Sequence, residues 1–134
     1  LNKMLRCENR GSRNMAKMIK IPTFSDVRGD LSVIERVVDF SFKRVYFIYN
    51  SDGSQRGGHR HKTTSQLLVC VQGGCDVFCQ NKSKEKTFSL DSPGKGLLLD
   101  ADDWHTMSNF TKNCILLVIA SEVYDQDDYI YEKW

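Results

Sequence analysis

Residues 56–66 read RGGHRHKTTSQ and set His59 and His61 two positions apart beside a pair of glycines. Imidazole does two kinds of work near neutral pH. Its unprotonated nitrogen binds divalent metals, and its ordinary pKa of about 6.5 lets it take up and release protons. A His-X-His pair flanked by glycines gains little from core burial, so a chemical role outweighs a packing one. Side chains of an extended segment alternate between faces, which puts His59 and His61 on one side and Arg60 and Lys62 on the other.

A longer frame surrounds the pair: Gly53, His59, His61, Gln66 and Gly73 stand in the order and spacing G-x5-H-x-H-x4-Q-x6-G. This resembles the first cupin motif, with Gln66 where a metal-binding cupin has glutamate. The second cupin motif is echoed at Asp100, Asp102, His105 and Asn109, keeping the histidine and asparagine but not the proline and glycine. Both motifs, in the right order, imply an all-β cupin barrel, a double-stranded β-helix or jelly roll. A cupin metal site gathers three histidines and a carboxylate, whose charge offsets that of a divalent ion. Gln66 supplies no charge, so the expected pocket is metal-free, with no cofactor. The competing reading is a metal-dependent enzyme, such as a dioxygenase, holding iron or nickel through His59, His61, Gln66 and His105.

The elements needed to hold these residues are visible in the rest of the chain. Its 134 residues, 40% hydrophobic, suffice for one core. Short β-rich runs at 31–36, 43–50, 65–72, 75–81, 86–90, 96–100 and 114–121 alternate with turn-forming stretches such as SDGSQRGG, QGG, NKSKEK and SPGK. Such spacing suits a sandwich or barrel. Only the tail, YDQDDYIYEKW, has the look of a helix. No apolar run reaches the roughly 18 residues that a membrane helix requires.

Of the 19 basic and 17 acidic residues, six basic and one acidic fall in residues 1–20; the remainder holds 13 and 16, a net of −3. Residues 1–20 are read as a disordered basic leader or added extension, and 21–134 as a single domain. A mildly acidic body excludes a basic nucleic-acid face, though arginines gathered in one pocket can still receive a phosphorylated ligand. The five cysteines, at 7, 70, 75, 79 and 114, show no CxxC pairing and suit a reducing cytoplasm. Cys75 and Cys79 share a strand face without converging, so packing is favoured over a zinc site with the histidines.

Several stretches together, RGDL (28–31), KRVYFIYN (43–50), RGGHRHK, QLLVCVQG, LDSPGKGLLL, DWHTM and LLVIASEVYDQDDYI, are similar to the nucleoside-diphosphate-sugar 3,4-ketoisomerases. The similarity runs from about residue 18 to the end. It implies a metal-free cupin that converts dTDP-4-keto-6-deoxyglucose to the 3-keto sugar in the cytoplasm, on routes to the 3-amino-3,6-dideoxy sugars of lipopolysaccharide or other surface polysaccharides. It also implies His59 as the base, His61 as a second proton carrier or oxygen-polarising donor, and Tyr46 as a donor to the oxyanion. Arg28, Arg44 and Arg56 become candidates for the diphosphate or sugar hydroxyls, with Lys62 and Gln66 as further substrate-binding candidates and Trp104 as a core residue or a flank of the nucleotide base. Gly58 departs from the family, which often carries an aromatic residue there as a possible pocket wall. The family forms homodimers that exchange N-terminal strands, and the run MIKIPTF (18–24) is apolar enough for that. The dTDP-linked keto sugar is the expected partner, with no nucleic acid and no membrane. A third reading is a non-catalytic cupin that binds sugar nucleotides.

Overall fold

The computed structural model describes residues 16–134, and those residues fold almost entirely into antiparallel strands. In chain order these are β1 (Lys17–Lys20), β2 (Thr23–Asp26), β3 (Gly29–Ser32), β4 (Arg44–Ile48), β5 (Arg56–His61), β6 (Gln66–Gln72), β7 (Cys75–Gln80), β8 (Glu85–Leu90), β9 (Lys95–Leu99), β10 (Trp104–Ser108), β11 (Ile115–Ala120) and β12 (Tyr129–Ile130). One five-stranded sheet has the order β1-β9-β6-β11-β4 and the other β12-β5-β10-β7-β8, with β2 and β3 as a separate hairpin. The two sheets face each other as a cupin barrel.

Alternation sorts each strand's residues. Leu68, Cys70, Leu97, Leu99, Leu116 and Val118 of the first sheet meet Cys75, Val77, Cys79 and Met107 of the second inside the barrel. Leu67, Val69 and Ile119 point outward from the first sheet, yet are also buried, under Ile34, Val37, Val38 and Phe40. Both faces of β6 and β11 are therefore covered, which explains why QLLVCVQ and ILLVIA read as continuous apolar runs rather than alternating ones. The run expected as a strand over 31–36 ends at Ser32 for the same reason: residues 33–42 leave the sheet plane to serve as this cover.

Two further expectations change. Lys17–Lys20, placed in the leader, forms β1, which pairs with β9 from Lys17↔Leu98 to Lys20↔Lys95 and lets Ile21 pack at 0% exposure. The ordered body thus begins before residue 21, while residues 1–15 of that leader lie outside the described residues. The tail forms one 3-10 turn, Gln126–Asp128, and then joins the sheet: β12 pairs with β5, Tyr129↔His61 and Ile130↔Arg60. The open edge of β5 offers the tail hydrogen bonds that an isolated helix of this length cannot match. Among the described residues no helix is long and apolar enough to cross a membrane.

Candidate active site

The site is organised by β5. Gly57 and Gly58 both take left-handed backbone, with φ of 84° and 82°. At Gly57 there is also no room for a side chain, since a Cβ would lie 2.8 Å from the carbonyl oxygen of His105. The tight approach accompanies a bulge: β5 pairs with β10 at His59↔His105, then shifts register to Gly57↔Thr106. With β10 on one side and β12 on the other, His59 faces both His61 and His105 at ring-centroid distances of 5.1 Å, and the Tyr129 ring packs 4.7 Å from His59 and 4.8 Å from His61. The shared face expected for His59 and His61 is present, and His105 completes a triad of imidazoles.

Each ring is held differently. His61, 2% exposed, places Nδ1 2.9 Å from Oδ2 of Asp128. Asp128 in turn accepts from the Thr63 amide at 2.8 Å, the Thr63 hydroxyl at 2.9 Å and the Thr64 hydroxyl. Burial alone would raise the Asp128 carboxyl, but those donors and the neighbouring His61 outweigh it and hold it at about 2. His105, also 2% exposed, donates Nδ1–H to the Asp103 carbonyl at 3.0 Å, and burial pushes it down to about 3. His59 is lowered to about 4, first by burial and then by His61, against the Gly57 carbonyl. Burial lowers His61 as well, but Asp128 opposes the shift. At pH 7 the cluster is a set of neutral imidazoles able to accept protons.

The first sheet supplies the facing groups. Arg44, Tyr46 and Ile48 alternate inward from β4, as their spacing predicts, while Val45 and Phe47 stand outside. Gln66, at the start of β6, donates Nε2–H to the Tyr46 hydroxyl at 3.0 Å, which leaves the phenol's own proton free. Burial raises the Tyr46 pKa, so it keeps that proton. Arg44 lies over the Tyr46 ring at 5.3 Å and the Tyr124 ring at 5.7 Å. His61 Nε2, Gln66 Oε1 and Arg44 Nε are buried with no hydrogen-bond partner among the described residues. Buried polar atoms are rarely left so, and three on one set of facing residues match a ligand rich in hydroxyl and carbonyl oxygens. A cavity of about 390 Å³ opens at the seam between β4 and β5, lined by Tyr46, Ile48, Arg56, Gly57, His59 and Met107 among others.

Other candidates stand elsewhere. Arg28 occupies the tip of the β2–β3 hairpin, its side chain 88% exposed and its fork bound to Asp26. Lys62 turns away from the histidines, into a second hollow beside Asp39, Asp100 and Asp102. Trp104 lies on the opposite face of β10 from His105, donating Nε1–H to the Tyr131 carbonyl at 3.1 Å and packing on Phe78. A side chain at Gly58 would start 4.0 Å from the Trp104 ring, so an aromatic residue there would pack on that outer face instead of walling the pocket. Cys75 and Cys79 are buried among core side chains. Among the described residues no group of three or more His, Cys, Asp or Glu side chains is arranged to hold a metal ion. Asp128 and Tyr129 are not anticipated as part of the site; their only signal is the run YDQDDYI, whose contact with β5 spans 67 residues of sequence.

Comparison with known proteins agrees with this geometry. The family model described as FdtA: WxcM-like, C-terminal matches residues 14–134. A TDP-4-oxo-6-deoxy-alpha-D-glucose-3,4-oxoisomerase from Aneurinibacillus thermoaerophilus is 40% identical over 117 residues, 85% of this chain and 84% of that protein. The 3,4-ketoisomerase QdtA of Thermoanaerobacterium thermosaccharolyticum, solved with TDP, is 37% identical with 89% of each chain covered and a TM-score of 0.85. A histidine-to-asparagine variant of QdtA, solved with TDP-4-keto-6-deoxyglucose, is 36% identical over 90% of this chain and 89% of that one, again at a TM-score of 0.85. The chain belongs to the FdtA: WxcM-like, C-terminal family and, like these relatives, is a sugar 3,4-ketoisomerase built on a cupin barrel.

Proposed function

We propose that the chain moves the keto group of dTDP-4-keto-6-deoxyglucose from C4 to C3 through an enediolate. His59 takes the C3 proton and returns it at C4, His61 is the second proton carrier, and the Tyr46 hydroxyl donates to the developing oxyanion. The observation that carries this reading is the triad of neutral imidazoles gathered with three buried polar atoms, His61 Nε2, Gln66 Oε1 and Arg44 Nε, that have no hydrogen-bond partner among the described residues. Proton transfer between neighbouring carbons needs a neutral base and oxygen-directed hydrogen bonds, and the site offers both. Arg44 and Gln66 are placed for the sugar oxygens and Arg56, at the mouth, for the diphosphate. The relatives solved with TDP and with the keto sugar support the substrate. The test is NMR of dTDP-4-keto-6-deoxyglucose in D2O: the 3-keto sugar forms, and to the extent that the proton on His59 exchanges with solvent before its return, deuterium enters at C4 of the product and, by reversal, at C3 of the substrate. Neither 3-keto product nor exchange with any nucleotide-linked 4-keto sugar would remove the reading. Four free buried thiols and a nucleotide-linked substrate support a cytoplasmic enzyme of deoxyamino-sugar biosynthesis.

Two further expectations belong to this reading. Exhaustive chelation leaves turnover unchanged and added divalent metal does not raise it; loss restored by one metal would favour the metallocupin instead. The enzyme is a homodimer with exchanged N-terminal strands, in which the β1–β9 ladder that the single chain closes on itself is remade between two chains. Phe24, Val27 and Leu31 on the hairpin and Val45, Phe47 and Tyr49 along the edge strand β4 are exposed apolar side chains that such a dimer would cover. Arg28 travels with that hairpin, which gives it a route to a partner's sugar nucleotide. Sedimentation at micromolar concentration reports a dimer, and deletion of residues 1–24 weakens it.

A further inference from the structure

Isomerisation of a 4-keto sugar relocates two protons, not one. The C3–H proton moves to C4, and the O3–H proton moves to O4. The C3–H electron pair becomes the C3–C4 π bond of the enediol while the C4 carbonyl pair passes to O4. Collapse of O3 to a carbonyl then returns the π pair to C4 as a new C–H bond. No electrons leave the sugar, and each proton needs its own carrier unless one ring serves both.

We propose that Asp128 is the positioning residue for the second of these transfers: it fixes the His61 ring so that Nε2 faces the sugar oxygens and carries the proton from O3 to O4. This rests on the ketoisomerase reading above. The geometry is asymmetric among the three histidines, since among the described residues His61 alone has a carboxylate partner; His105 donates to a backbone carbonyl. A carboxylate only accepts, so Nδ1 at 2.9 Å must carry its proton and Nε2 must present a lone pair. That Nε2 is the atom left buried and partnerless. When Nε2 takes a proton, the positive charge is balanced by Asp128 across the ring. The other groups around His61 supply no counter-charge: Arg44 from β4 is itself cationic, His59 and His105 are imidazoles, and Tyr129 is a phenol.

Asp128 is itself rigidly set. Its Oδ1 accepts the Thr63 amide and hydroxyl, and its Oδ2 accepts the Thr64 hydroxyl and His61. The Thr63 backbone N–H can only donate, which fixes what an asparagine must do here. In Asp128→Asn the amide oxygen is held by Thr63, so the NH2 group turns to His61 Nδ1. The ring must then give up its Nδ1 proton and carry it on Nε2, the wrong nitrogen for accepting from the sugar.

The chain's three histidines make the experiment tractable. Long-range proton–nitrogen correlation spectra of labelled protein are expected to place the His61 proton on Nδ1 in the wild type and on Nε2 in Asp128→Asn. Turnover falls by about two orders of magnitude or more, while dTDP affinity stays within about threefold. A purely structural role for Asp128 would lower binding and turnover together and leave the tautomer unaltered. Turnover near the wild-type rate, or an unchanged tautomer, overturns the proposal. If Asp128→Asn does not fold, the wild-type spectrum decides alone, because a proton on Nε2 of His61 is incompatible with the proposed role. The spectrum needs no substrate, so a wild-type enzyme inactive on every keto sugar would sink the functional reading without touching the assignment of the ring.

Discussion

His59→Ala and His59→Asn lower kcat by about two to four orders of magnitude and leave dTDP affinity nearly intact. The effect is on the chemical step because His59 lies in the cavity lining beside Tyr46, whereas Arg56, the charged group in that lining suited to phosphate, is untouched. Exchange of C3–H with solvent follows the same loss; if His59→Ala still exchanged at the wild-type rate, the base would be elsewhere. The pH dependence follows from burial. A base must be unprotonated, and His59 is lowered from 6.5 to about 4. Base-limited activity therefore persists as the pH drops through 6.5 and disappears only toward about 4, so an acid limb centred near 6.5 would contradict a base in this environment.

Tyr46→Phe lowers kcat by about 100- to 1,000-fold, the range for losing one donor at a developing oxyanion. The hydroxyl has two duties, which the experiment separates. In the proposed mechanism it donates to the substrate, and in the structure it accepts from Gln66 Nε2 at 3.0 Å. Removing it leaves a buried amide donor unpaired, at a cost of about 1–3 kcal/mol in folding free energy. Urea unfolding registers that cost, and the kcat loss beyond it belongs to the reaction. A kcat within about threefold of wild type, with the destabilisation present, would reduce Tyr46 to a structural partner of Gln66.

The parts of this architecture that can be read from the chain are those where local pattern and tertiary role coincide. The strands β6, β7, β8, β9 and β11 stand out because β-rich apolar runs end in turns. The inward set Arg44, Tyr46, Ile48 and the pair His59, His61 follow from alternation alone. β10 escapes the same test because it buries a histidine and a threonine beside Met107, so WHTMS carries no apolar signature. β1 looks like a charged leader, since Lys17 and Lys20 flank only two apolar residues and its pairing partner lies some 75 residues ahead. Trp104, a substrate-binding candidate next to His105 in sequence, lies outside by the very alternation that puts His105 inside. Asp128 was illegible for a different reason: in a tail rich in acids nothing local distinguishes the one carboxylate that folds back onto Thr63, Thr64 and His61.

The sheet order carries a kinetic consequence. Among the described strands, only β2–β3 and β7–β8 pair neighbours in sequence, and the other ladders, such as β1 with β9 and β5 with β12, close long loops. Loop-closure entropy must be met before such contacts return any stabilisation, which puts the domain among slow folders, on the millisecond-to-second scale. Of the two most apolar strands, β6 is then the one left waiting, since its partners β9 and β11 are both made later in the chain. During synthesis at about 5–20 residues per second, β6 emerges seconds before β11 can shield it. Chaperone demand and aggregation are expected to be governed by that interval rather than by the stability of the finished barrel.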